Sequence, residues 1–165
     1  MAQAAIEDGS SAYSQKHFII RSRIYSNLRK GSMAIGTLAK DDRLKLFLPQ
    51  VCSYCASAHQ LAADHLIPLN LGGPDVGDNL VWACRSCNSS KRNLDMIEWL
   101  RKQNRFPTIL LLRRYLKLAI QICIAKGIMD LEVENAPELP FSLSAIPLKF
   151  PPPLELKLWI LEIPR

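Results

Sequence analysis

The 165-residue chain has no run of 18 apolar residues; its most apolar stretch, 108–125, is broken by Arg113, Arg114 and Lys117. A membrane-spanning helix is thereby excluded. Residues 1–10 carry Glu7 and Asp8 and no apolar core, which is not the pattern of a secretory leader. No internal repeat is visible, and residues 51–80 contain neither Lys nor Arg. The length is too short for a multidomain enzyme but permits one real core. With 22% charged and 48% hydrophobic residues, a disordered chain is excluded as well.

The charge that is present is distributed unevenly. Lys and Arg number 21 against 15 Asp and Glu, a net charge of +6. Residues 1–50 hold eight cations and four acids, and residues 51–80 hold three Asp. Residues 81–117 hold nine cations and two acids, and residues 118–165 hold four and six. An acidic segment between two basic ones suits a protein that grips a polyanion and admits a metal cation. Taken singly, most of these cations would do no more than solvate helix faces.

Four of the five cysteines form two Cys-x-x-Cys pairs, Cys52/Cys55 and Cys84/Cys87. An odd count without a leader argues against a secreted disulfide framework. Each pair makes a turn that points two thiolates the same way, and two such turns suit a tetrahedral structural zinc. The alternatives are reduced thiols or a redox motif at Cys52, though redox chemistry needs only one pair. Cys123 reads as a core residue, and His59 is not needed where four cysteines fill a tetrahedron.

The hydrophobic pattern predicts a mixed α+β chain. Ile20, Ile24 and Leu28 recur at helical spacing and predict a helix over 14–30, with Arg21, Arg29 and Lys30 off the apolar stripe. Residues 60–67 and 80–83 are short strands around a loop marked by Gly72, Gly73, Pro74 and Gly77. A short helix follows from about 84 to 91, placing Arg85, Asn88 and Lys91 on one face. Asp95-x-x-Glu98 caps a helix over 96–103. Pro107 opens and Gly127 ends a further helix, apolar nearly all round and therefore buried in the fold or at a subunit interface. Seven of the eleven prolines lie from Pro137 onward, and residues 154–163 read as a strand. Trp82 and Trp99 read as core. The expected organisation is a basic helical segment at 1–50, a zinc-bearing core at 51–105, an apolar helix at 106–136 and a proline-rich tail at 137–165.

The most informative stretch runs from Cys52 through Asp64-His65-Leu66-Ile67-Pro68, Gly72-Gly73 and Asp78-Asn79-Leu80 to Cys84-Arg85-Ser86-Cys87-Asn88 and Lys91. It resembles the HNH nucleases, whose ββα-metal core cuts phosphodiester bonds. Asn88 stands where many members have a final His, so the chain looks like the His-Asn-Asn subtype. The resemblance implies an HNH-type endodeoxyribonuclease that leaves 5′-phosphate ends. It implies His65 as general base, Asn79 as the residue orienting it, and Asp64 and Asn88 as ligands of a catalytic Mg²⁺ or Mn²⁺. Cys52, Cys55, Cys84 and Cys87 would hold a separate structural zinc, and Arg85, Lys91 and Arg92 would hold the DNA backbone. Adjacent strand residues point to opposite faces, so Asp64 and His65 need a bend before Pro68 to meet.

The expected setting is a small stand-alone enzyme, bacterial or phage-encoded, cytoplasmic, and of restriction type. A homodimer is expected, with the segment from Thr108 onward supplying the interface, because one site cuts one strand. The competing function is a zinc-containing nucleic-acid-binding module without catalysis; an assembly protein docking through its apolar C-terminal half is a third. His17 and His59 fall on no motif position, and Asp75 and Asp78 read as loop carboxylates.

Overall fold

The computed structural model describes residues 1–39 and 48–161. Strand β1, Leu61–His65, pairs antiparallel with β2, Leu80–Cys84, with Leu61 opposite Cys84 and His65 opposite Leu80. Along β2 the side chains alternate: Val81 and Ala83 are buried and Trp82 is exposed, as a pleated strand with one covered face requires. Helix α3, Arg85–Lys91, leaves β2 directly, with Cys84 as its N-cap. The chain is mixed α+β, and its strand–loop–strand–helix unit lies where the sequence puts it.

Helix α4, Met96–Lys102, begins at Asp95. Asp95 Oδ1 accepts the Ile97 and Glu98 N–H groups at 3.0 and 3.2 Å, satisfying donors that a helix start leaves orphaned. Asp95 Oδ2 accepts the Tyr115 hydroxyl at 2.6 Å, which ties α4 to the long helix α5, Ile109–Ala125. Burial raises the Asp95 carboxyl above its ordinary range and raises the Tyr115 phenol as well. Tyr54 meets Trp99 edge-on at 4.9 Å, and Leu66, Ile67, Leu100 and Leu112 complete the centre of the core. Arg114 of α5 donates to the carbonyls of Asp78 and Gly77 at 2.6 and 3.0 Å, which pins the turn before β2.

Among the described residues, α1 at Ala2–Glu7 and α2 at Gln15–Arg29 precede this unit. His17 is fully buried: Ser14 N–H donates to its Nδ1 at 3.0 Å and Asp8 lies 3.0 Å from its Nε2. The rest of α2 is nearly all exposed, including Ile20 and Ile24 of the expected apolar stripe.

Two expectations change, and α5 takes one of the two places expected for it. Residues 154–161 form no strand: a 3-10 turn occupies Pro153–Glu155, and residues 162–163 lie outside the described residues. The reason is a competing use of the backbone. The carbonyls of Lys157 and Leu158 accept the Ile109 and Leu110 N–H groups at 3.0 and 3.3 Å, so the tail caps α5 instead of pairing with a strand. Trp82 is 44% exposed, because it lies on the uncovered face of β2, where it lines an apolar cavity of about 520 Å³ with Leu110 and Trp159. Helix α5 spends most of its apolar surface inside its own chain: Ile109 to Leu112, Tyr115, Leu118 and Ala119 are buried, and Ile124 near its end is exposed.

Candidate active site and cysteine knuckle

The first Cys-x-x-Cys turn closes through two backbone bonds, Ala56 N–H to Cys52 O at 2.9 Å and Cys52 N–H to Ser57 O at 2.8 Å. Ser53 N–H donates to Trp82 O at 2.8 Å and moors the turn against β2. Cys84 ends that strand and Cys87 lies in the first turn of α3, so the second pair is delivered by strand and helix together. All four Sγ atoms lie within 4.8 Å of one another, and Cys55 and Cys84 are 3.6 Å apart. Tetrahedral zinc with bonds of about 2.3 Å spaces its sulfurs roughly 3.8 Å apart, so the four cysteines are positioned to bind a metal. Hydrogen bonds from the Ser86 hydroxyl and then the Cys87 N–H bring the Cys84 thiol down to about 6. Burial pushes the Cys87 and Cys55 thiols up. Four crowded sulfurs cannot all ionise without a cation among them, and a divalent ion with thiolate preference suits that set.

The loop between the strands is closed by one side chain. Asn79 is fully buried: its Oδ1 accepts Ile67 N–H at 2.9 Å, and its Nδ2 donates to Ile67 O at 2.7 Å and Pro74 O at 2.9 Å. Its own carbonyl accepts Leu66 N–H at 2.9 Å. The loop can fold this tightly because residue 73 is glycine; a Cβ there would collide with the Ile67 carbonyl. His65, at the end of β1, turns toward this loop, and its Nε2 lies 3.1 Å from Asp75 Oδ1.

Asp64 turns the other way. It is 6% exposed, accepts the Tyr54 hydroxyl at 2.6 Å on Oδ2, and faces Lys91 Nζ at 3.1 Å on Oδ1. β1 stays regular through His65, so alternation separates the two side chains and no bend brings them together. Lys91 is 1% exposed, and its ammonium also donates to His65 O at 2.7 Å. The expectation that Lys91 holds DNA is thereby overturned: its charge is spent inside the protein, because the third position on the α3 face points at the buried carboxylate. Of the other two, Arg85 is exposed and Asn88 half-buried. Asn88 borders a shallow depression with Gln60, Ala62 and Arg85, and no hydrogen bond joins it to Asp64 or His65 among the described residues. Arg92, just past α3, is exposed.

Sequence reasoning missed two residues. Asp75 was indistinguishable from its neighbour Asp78 until the loop folded over His65. Tyr54 sits inside the first Cys-x-x-Cys turn, where only the cysteines carry a recognisable pattern.

Residues 52–94 match the HNH endonuclease family. Comparison with curated proteins and with solved structures gave no match. Among the described residues, no helix is long and apolar enough to cross a membrane. A two-stranded hairpin, a following helix and a four-cysteine cluster thus coincide with the segment, residues 52–94, that matches the HNH endonuclease family.

Proposed function

We propose that the chain is a metal-dependent endonuclease that hydrolyses DNA phosphodiester bonds, leaving 5′-phosphate and 3′-hydroxyl ends, with His65 as general base. The observation that carries this is the Asn79 clamp, which fixes the end of the His65 strand beneath the loop that supplies Asp75. Asp75 accepts a hydrogen bond from Nε2–H, which leaves the Nδ1 lone pair to take a proton from the attacking water. Asn79 works through position alone. The exposed Arg85 and Arg92 are the side chains available to hold phosphates. The cysteine cluster holds a structural zinc that joins the first turn to α3.

The carboxylate of Asp64 and the amide oxygen of Asn88 suit a hard cation such as Mg²⁺ or Mn²⁺. Bound there, it would neutralise charge growing on the phosphate and on the leaving 3′ oxygen. Lys91 already neutralises Asp64, so ammonium and divalent ion compete for one carboxylate. That same ion pair favours the second reading, a zinc-bearing nucleic-acid-binding module without catalysis. Supercoiled plasmid with and without Mg²⁺ separates the two. The nuclease predicts Mg²⁺-dependent cleavage that His65→Ala slows by roughly 10²–10⁴ while binding persists. Undiminished cleavage by that variant overturns the assignment of His65, and binding without any cleavage favours the module. Sequencing the ends from mixed DNA tests the restriction role.

A further inference from the structure

Helix α2 carries four Lys or Arg and no Asp or Glu. It also leaves Phe18, Ile19, Ile24 and Tyr25 exposed. Arg21 lies over the Phe18 ring at 5.3 Å and Arg29 near the Tyr25 ring at 5.9 Å, so cations and rings share one surface. Among the described residues, only Lys16 of the four cations has an acidic partner, Asp8 at 2.7 Å. The far end of the chain offers the opposite pattern. Beyond α5, residues 129–135 are exposed throughout, and Met129, Leu131 and Val133 alternate with Asp130, Glu132 and Glu134. None of those three acids has an ion-pair partner among the described residues.

We propose that these two surfaces dock on each other between two copies of the chain, α2 of each protomer against residues 129–134 of its partner. Charge and apolarity select this occupant together. Phosphates would answer the arginines but leave Phe18 and Ile24 in water, whereas the acidic segment brings carboxylates and apolar side chains at once. Pairing α2 with α2 is excluded, because it would set cations against cations. One basic and one acidic surface per chain make two equal contacts in a symmetric pair, which closes the assembly at two. The helix spans about 22 Å, enough to cover these six residues, which form a turn at 129–130 and enter the 3-10 helix Val133–Asn135. Within the segment from Thr108 onward, which was expected to supply the interface, this places the contact at residues 129–134 and not on the first half of α5, which its own chain covers.

The test uses the full chain and light scattering after size exclusion. Wild type is expected at twice the chain mass at low ionic strength, shifting toward the monomer as salt screens the contacts. Arg21→Glu, Arg23→Glu and Arg29→Glu together make α2 acidic, and Glu132→Lys with Glu134→Lys makes the segment basic. Each multiple variant is expected to be monomeric alone, and an equal mixture to recover the dimer, because both contacts are then attractive. All five positions are exposed, and unchanged circular dichroism melts confirm folding. Wild type that stays monomeric at all concentrations overturns the proposal, as does a mixture that stays monomeric or an open-ended ladder of masses. If the α2 variant loses nucleic-acid binding while the dimer persists, α2 is a nucleic-acid surface and the proposal fails.

Discussion

Asp64 and His65 are neighbours in the chain and have opposite environments. Asp64 is held by Tyr54 and Lys91 in the interior, whereas His65 reaches a carboxylate that is itself exposed. Lys91→Met should therefore act on stability: it leaves the Asp64 charge buried with one partner removed, at a cost of about 3–5 kcal/mol. Urea unfolding measures it, and a change under 1 kcal/mol would mean the pair is solvated. Asp75→Asn should slow cleavage while leaving DNA affinity and the melting temperature unchanged, because it removes the acceptor that sets the His65 tautomer. Equal loss of rate and of stability would make Asp75 a structural residue instead.

At the scale of elements, the site is suspended from three ties. Asn79 binds the loop to the strand end, Asp95 starts α4 and holds Tyr115 of α5, and Met96 N–H donates to Leu66 O at 3.0 Å. Asp95→Ala removes a helix cap and orphans a buried hydroxyl together, so it should destabilise by about 2–4 kcal/mol. Equilibrium unfolding followed by circular dichroism measures this, and a value near zero would mean that Tyr115 finds another acceptor. The tail is the fourth tie. Its carbonyls at Lys157 and Leu158 cap α5, so a chain ending at residue 150 should melt at lower temperature.

For the molecule as a whole, metal and charge decide behaviour. One zinc per chain is expected by elemental analysis, and Cys84→Ser or a strong chelator should unfold the core, since the metal contributes folding free energy directly. Zinc-free protein that remains folded would contradict this. DNA binding should weaken with salt, and Arg85→Ala with Arg92→Ala should flatten the slope of log K against log salt by roughly 0.9 per lost phosphate contact. An unchanged slope would place both side chains away from the backbone of the nucleic acid.

The cysteine spacing, the short strands around a glycine loop and the Asp95 cap were legible because each depends on residues a few positions apart. A Cys-x-x-Cys turn closes on itself, Gly73 is demanded by one close carbonyl, and Asp95 meets the N–H groups two and three residues on. Residue order determined these features. Direction and partnership across the fold were decided elsewhere. Whether Lys91 faced DNA or Asp64 depended on which side of α3 packs on β1, and composition is silent on that. Asp75 and Asp78 are equivalent by type, yet one meets His65 and the other meets Arg114 from α5, 36 residues away. Residues 154–161 had the composition of a strand, but a strand needs a free edge to pair with, and α5 offered them its unpaired N–H groups. Local hydrogen-bonding rules therefore set the motif, while long-range packing set which charges were spent inside it and which were left for a partner.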